Sequence, residues 1–234
     1  MLEIKNVTKK YGDKVAVNDI TFTVNDGDIF AFIGHNGAGK TTLIKAIVGI
    51  HDFDKGEIVI NGNSIKDNPI ACKSDMAFVP DNPEMYENMK AIDYINFICD
   101  MYEIDQDTRN KNITKYAKMF DIEQNLGDTI NSFSHGMKQK IALISALAHN
   151  PKILIMDEPF VGLDPKAVFD MKELMRAMVK EGKTVFFSTH ILDVAEKLCT
   201  RVAIIKNGEI VKVGSMKDVK GDKSLEKVFL ELEK

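Results

Sequence analysis

The chain has 234 residues, 44% of them hydrophobic and 28% charged, with a net charge of −4; it is long enough to bury a sizeable core as one large domain or two small ones. That charge balance argues against a broad nucleic-acid-binding surface, and no apolar run approaches the roughly 20 residues needed to cross a bilayer, so work on a membrane would rely on another chain's spanning segments. Cys72, Cys99 and Cys199 are far apart and lack metal-ligand spacing, which reads as reduced, small core residues of a cytosolic protein, and the amino terminus carries no basic-then-apolar secretion pattern.

Residues 1–34 alternate short β-type runs with turn signals: Leu2 to Val7, a turn around Tyr11-Gly12-Asp13, Val15 to Val24, Asn25-Asp26-Gly27, then Asp28 to Ile33. The last run is almost continuously apolar, as a strand buried on both faces should be. Next comes Gly34-His35-Asn36-Gly37-Ala38-Gly39-Lys40-Thr41, followed by the helix-like stretch Thr42 to Val48. Strand, glycine-rich loop and helix in that order form a phosphate-binding P-loop. Glycines let successive N–H groups face inward, the helix brings its positive end, and Lys40 adds a full charge. A nucleoside triphosphate is the natural occupant, contacted by Gly34, Asn36, Gly37, Ala38, Gly39, Lys40, Thr41 and Thr42. The Thr41 hydroxyl is expected on the accompanying Mg²⁺ and Lys40 on the β- and γ-phosphates.

Further along, Gly56 to Ile60 reads as a strand, Asn61-Gly62 as a hairpin-type turn, and Met76 to Val79 as a strand ending at Pro80. From about Asp81 to Asn150 the character turns helical: Ile92, Ile95, Phe97, Ile98 and Met101, and later Ile141, Ile144, Leu147 and Ala148, repeat at helical spacing. Within that stretch Ser134 is a good N-cap and Gly136 leaves backbone N–H groups uncovered, which suits a second anion site; an ordinary capped helix accounts for the same residues. The β/α rhythm resumes with a strand over Lys152 to Met156, a helix over Pro165 to Lys180, a strand over Thr184 to Ser188, a helix over Ile191 to Leu198 and a strand over Val202 to Ile205. A hairpin through Asn207-Gly208 and an amphipathic tail from Ser224 follow. In the tail Leu225, Val228, Phe229 and Leu232 share a face, with Glu226, Lys227, Glu233 and Lys234 on a solvated one. Met171, Met175 and Met178 fall on one helical face as packing residues.

Ile153-Leu154-Ile155-Met156 ends in Asp157-Glu158, and sites in parallel sheets gather at the carboxyl ends of strands. Asp157 is placed to hold Mg²⁺, directly or through water, and Glu158 to accept a proton from the water that attacks the γ-phosphate. Ser188-Thr189-His190 closes the next strand, so His190 can reach the same edge.

In order and approximate spacing, the P-loop, Phe133-Ser134-His135-Gly136-Met137-Lys138-Gln139, Ile-Leu-Ile-Met-Asp-Glu-Pro, Gly162-Leu163-Asp164-Pro165 and Ser-Thr-His resemble an ATP-binding cassette (ABC) domain across essentially the whole chain. The resemblance implies an α/β fold: a P-loop NTPase core with a mostly parallel sheet and N-terminal antiparallel strands (1–80 and 151–234), carrying an inserted helical subdomain (81–150). It also implies an ATPase that binds ATP and Mg²⁺ and pairs head to tail, so that each ATP lies between one P-loop and the partner's Ser134 and Gly136. Asp164 would cross the dimer interface, His190 would contact the γ-phosphate and Tyr11 would stack on adenine.

Two departures stand out. Asp81 occupies the position where the family usually has glutamine, one methylene shorter and charged, and is a candidate for Mg²⁺ contact and turnover; His135 and Met137 replace the common glycine and glutamine. With Asn82-Pro83-Glu84-Met85-Tyr86-Glu87-Asn88, these variants look like the subgroup serving ABC-2-type permeases. The expectation is a cytoplasmic subunit, peripheral on the inner face of the cell membrane, that joins a second cassette and a separate permease, with export favoured over import. The alternative is a soluble cassette acting on ribosomes or nucleic acid, and a third reading is an ATP sensor that does not hydrolyse.

Overall fold

The computed structural model describes residues 1–233; Lys234 and the Glu233 side chain, both assigned above to a solvated face, lie outside the described residues. Strands β1 (Leu2–Tyr11) and β2 (Lys14–Val24) form a hairpin, β3 (Ile29–Ile33) leads into the glycine-rich loop, and helix α1 (Lys40–Ile47) follows. Next are β4 (Lys55–Ile60), β5 (Asn63–Ser64), α2 (Pro69–Asp75) and β6 (Met76–Val79). The segment expected to be helical holds α3 (Ala91–Met101), α4 (Gln106–Met119) and α5 (His135–Leu147). Strand–helix alternation returns with β7 (Ile153–Met156), α6 (Pro165–Lys180), β8 (Thr184–Thr189), α7 (Leu192–Leu198) and β9 (Arg201–Lys206), then β10 (Glu209–Ser215), α8 (Met216–Lys220) and α9 (Leu225–Glu233).

Among the described residues the strands make an antiparallel sheet, ordered β2-β1-β4-β5, and a larger one, ordered β10-β9-β3-β8-β7-β6. The larger sheet is parallel except at its β10 edge. Its side-chain alternation divides the interior in two. Ile29, Ala31, Ile33, Leu154, Met156, Val185 and Phe187 face the core beneath the helical segment. Their neighbours Phe30, Phe32, Ile153, Ile155 and Phe186 face α1 and the antiparallel sheet. This is the period-two rule applied to strands covered on both faces. Phe22 crosses from the antiparallel sheet to stack on Phe30, with ring centroids 5.3 Å apart.

The three cysteines are free and buried, and burial pushes each thiol up from its usual range, so they remain protonated packing groups. Met171, Met175 and Met178 are likewise core. Three helices, α2, α4 and α8, have no counterpart of their own in the sequence reading. α4 buries only Ile113, Tyr116 and Ala117 among lysines and asparagines, and α2 buries only Cys72; stripes that narrow leave little periodic signal. The apolar run in α3 forms the helix that its spacing predicts, but packing divides it between two environments. Ala91, Ile95 and Cys99 are buried, while Phe97 and Met101 are 40% and 67% exposed. Together with Tyr86, whose ring lies 5.9 Å from that of Phe97, they form an apolar shelf at the surface.

Candidate active site

The loop between β3 and α1 is shaped by one position above all. Gly39 has φ 110°, and a Cβ there would sit 2.5 Å from the Ala16 carbonyl oxygen, so only glycine fits. No side chain caps α1 and its first turn holds no acid, so its leading N–H groups are left for an anion. Lys40 is 5% exposed. Its ammonium donates to the carbonyls of Gly34 at 2.7 Å and His35 at 3.1 Å, and lies 3.2 Å from Glu158 Oε1.

The acids come from the carboxyl end of β7. Asp157 is buried, taking hydrogen bonds from Thr41 Oγ1 (2.7 Å) through Oδ2 and from the Ser188 hydroxyl through Oδ1. The next residue, Glu158, has φ 47°, a left-handed conformation uncommon outside glycine and concentrated at functional sites. Its N–H donates to Ser188 Oγ at 3.0 Å, and its Oε2 takes the His190 N–H at 3.2 Å and lies 2.9 Å from His190 Nδ1. The Lys40 approach to Oε1 is an ion contact without hydrogen-bond geometry, which leaves that buried oxygen with no hydrogen-bond partner. That oxygen faces a cation but holds no directed hydrogen bond, so it has room for a donor such as water.

These groups open on one cleft of ≈ 790 Å³, lined by Tyr11, Asn36, Gly37, Gly39, Lys40, Thr41, Thr42, Asp81, Asp157 and Glu158, with Lys14, Val15, Ala16, Asn207 and Gly208 toward Tyr11. Gly34 and Ala38 are buried in the loop rather than lining the cleft, and His190 joins the site through Glu158. Tyr11 is 47% exposed, with the Lys9 ammonium 5.2 Å from its ring centre. No group of three or more His, Cys, Asp or Glu among the described residues is arranged as a metal site. A hydroxyl beside one or two carboxylates still fits Mg²⁺, which draws its remaining ligands from phosphates and water.

Asp81 is exposed on one side, and partial desolvation on the other, then the carboxylates of Asp157 and Glu158, raise its pKa above the ordinary value, with His135 and His190 opposing. An acid with a raised folded pKa holds its proton longer folded than unfolded, so stability falls as pH rises through that range. Asp81→Asn should therefore raise the unfolding temperature of the nucleotide-free protein at neutral pH, and the gain should vanish as pH drops below the carboxylate range. Calorimetric unfolding across a pH series checks this; a gain that does not change with pH contradicts it.

The profile of a family described as ABC transporter matches residues 17–161. The chain belongs to that family. It is similar to the ABC-type transporter ATP-binding protein EcsA of Bacillus subtilis (strain 168), at 34% identity over 100% of this chain and 97% of the relative. It is also similar to the linearmycin resistance ATP-binding protein LnrL of the same organism, at 33% identity over 94% of this chain and 70% of the relative. A solved ATP-binding subunit of an ABC transporter matches with TM-score 0.95 and 33% identity, covering 100% of both chains. The dimeric ATP-binding cassette MJ0796, in a post-hydrolysis state bound to ADP and Pi, matches with TM-score 0.84 and 25% identity over 92% of this chain and 99% of that one. The protein is thus an ABC ATPase cassette, with the α/β fold class expected from its motifs.

The residues Phe133 to Gln139 do not line this cleft. Ser134 caps α5, its hydroxyl accepting the Met137 N–H at 3.3 Å. A Cβ on Gly136 would meet only Leu163, at 3.9 Å, so the helix start is open. Neither residue lines the cassette's own cleft. Asp164 caps α6 by accepting the Ala167 N–H at 2.9 Å. His135 packs on the same segment: a Cβ on Gly162, which has φ 73°, would lie 3.2 Å from its ring.

Sequence reasoning missed three contributors. Ser188 orients Asp157 and anchors the Glu158 N–H; its signal is a hydroxyl within a strand of buried apolar residues. Gln139, 1% exposed, ties α5 to the Pro159 carbonyl at 3.2 Å, and its signal is a polar group on a buried helix face. His35 contributes a carbonyl, and for that no side-chain pattern gives warning.

Proposed function

We propose that this ABC ATPase hydrolyses ATP at the cleft, dimerises around two Mg·ATP and powers a separate membrane permease, with export as the direction. One observation carries the reading: Lys40, Thr41, Asp157 and Glu158 line a single cleft, and Ser188 and His190 join them in one hydrogen-bonded and ionic network. Lys40 would leave Glu158 and the loop carbonyls for the β- and γ-phosphates. Glu158 Oε1 is then left to take the proton of the attacking water, while Oε2 keeps His190 aimed at the γ-phosphate side. Mg²⁺, when bound, neutralises charge on the phosphates, and Thr41, Asp157 and Asp81 are the residues that would hold it. Gly34, Asn36, Gly37, Ala38, Gly39 and Thr42 bind the phosphates, and Tyr11 stacks on adenine.

Ser134 and Gly136 serve the partner's nucleotide, which agrees with their open helix start away from their own cleft. ATP then stabilises the pair only while its γ-phosphate links both halves, and hydrolysis releases them. Export is supported by the resemblance to cassettes of ABC-2-type permeases and by LnrL, whose name is that of a resistance protein. Among the described residues no helix is long and apolar enough to cross a membrane, so a peripheral place beside a permease is part of the proposal. Residues 81–150 form the helical subdomain between core segments 1–80 and 151–234.

The permease contact is assigned to the exposed shelf of Tyr86, Phe97 and Met101, which the loop from Asp81 joins to the cleft. Phe97→Asp with Met101→Asp should abolish retention of the membrane protein that accompanies the wild type through mild-detergent purification, while ATP affinity stays unchanged. Full retention by the double variant would remove the shelf from the interface.

A further inference from the structure

The C-terminal helix meets the phosphate loop away from the cleft. Phe229, 6% exposed on α9, packs its ring against His35, with centroids 4.8 Å apart and planes at 62°. His35 is central to that loop's shape. Its carbonyl accepts the Ala38 N–H at 3.1 Å, closing the turn, and also the Lys40 ammonium at 3.1 Å. The orientation of one peptide unit thus decides both the curl of the loop and the resting place of its lysine.

The helix that presents Phe229 is fastened on several sides. The Leu225 N–H donates to Glu196 Oε2 at 2.8 Å, and Lys220 pairs with Glu196 Oε1 at 2.6 Å, binding α9 and the segment before it to α7, the helix that follows His190. Lys206, at the end of β9, donates to the Leu232 carbonyl at 2.8 Å. Leu225 and Val228 fill the core. Phe229 is therefore a fixed surface on which the His35 side chain rests.

We infer that His35 and Phe229 form a positioning pair through which α9 preorganises the phosphate loop, making the C-terminal helix part of the nucleotide site although it supplies no ligand. The physical basis is a reduction in the ordering that binding must otherwise impose on the loop. Neither side chain lines the cleft. The inference rests on reading that cleft as the nucleotide site.

The test is a double-mutant cycle on the full chain, read as the dissociation constant of methylanthraniloyl-labelled ATP, with thermal unfolding recorded for every variant. His35→Ala and Phe229→Ala should each weaken binding by roughly 3- to 10-fold, the scale of one aromatic contact. The double variant should bind no more weakly than the weaker single one, and Phe229→Tyr should restore wild-type affinity. His35 is exposed on its loop, so His35→Ala and Phe229→Tyr carry the test if Phe229→Ala does not fold. Wild-type affinity in His35→Ala, or strictly additive losses in the double variant, would overturn the pair; a Phe229→Ala effect confined to unfolding temperature would reduce it to core packing. Lys40→Ala run alongside separates the two failures: binding lost there without coupling here defeats only the pair, and binding kept there defeats the site itself.

Discussion

Lys40→Ala should weaken ATP binding by on the order of 10²–10⁴-fold, the loss of about two charge-assisted hydrogen bonds to phosphate oxygens. The starting state makes the test sharp. Lys40 is 5% exposed and wedged between two carbonyls and the Glu158 carboxylate, so truncation removes the phosphate ligand and also strands a largely buried anion. The variant should unfold at a lower temperature without nucleotide, and adding Glu158→Gln should return stability without returning affinity. Isothermal titration and thermal unfolding on the single and double variants separate the two effects. Unchanged affinity in Lys40→Ala would remove the phosphate-loop assignment.

Glu158→Gln carries the second large effect. The amide has nearly the shape of the acid and can still accept the His190 N–H, but it cannot take a proton from water. Steady-state phosphate release should fall by roughly 10²–10⁴-fold, the scale of losing a general base, while ATP is still bound. The left-handed backbone at Glu158 and the Ser188 anchor on its N–H hold the side chain at this point, so Ser188→Ala should reproduce part of the loss by letting both acids drift. Wild-type turnover in Glu158→Gln would reject Glu158 as the base.

Legibility followed locality. β3, the glycine-rich loop and α1 were readable because strand burial, loop curvature and helix start all act within one short stretch, Ile29 to Ile47, and each leaves its own compositional mark. Asp157, Glu158 and His190 were readable as ends of buried strands, since parallel topology brings such ends to one edge. α4 was not, because three buried residues suffice to dock a helix whose other faces are wet. The outward turn of Phe97 and Met101 was equally hidden: helical spacing reports that a face exists, and only packing decides which face is covered. The crowding that raises the Asp81 pKa and the seat of His35 on Phe229 join residues distant in the chain. Such contacts appear only once the sheet order brings the elements together.

The measurement closest to the central claim is the solution mass of Glu158→Gln by multi-angle light scattering, with and without saturating Mg·ATP. A nucleotide held between one copy's phosphate loop and the start of another's α5 requires the mass to double when ATP is added and to return to that of one chain with ADP. A mass that stays at one chain under saturating Mg·ATP, with bound nucleotide confirmed in the same sample, would contradict the account.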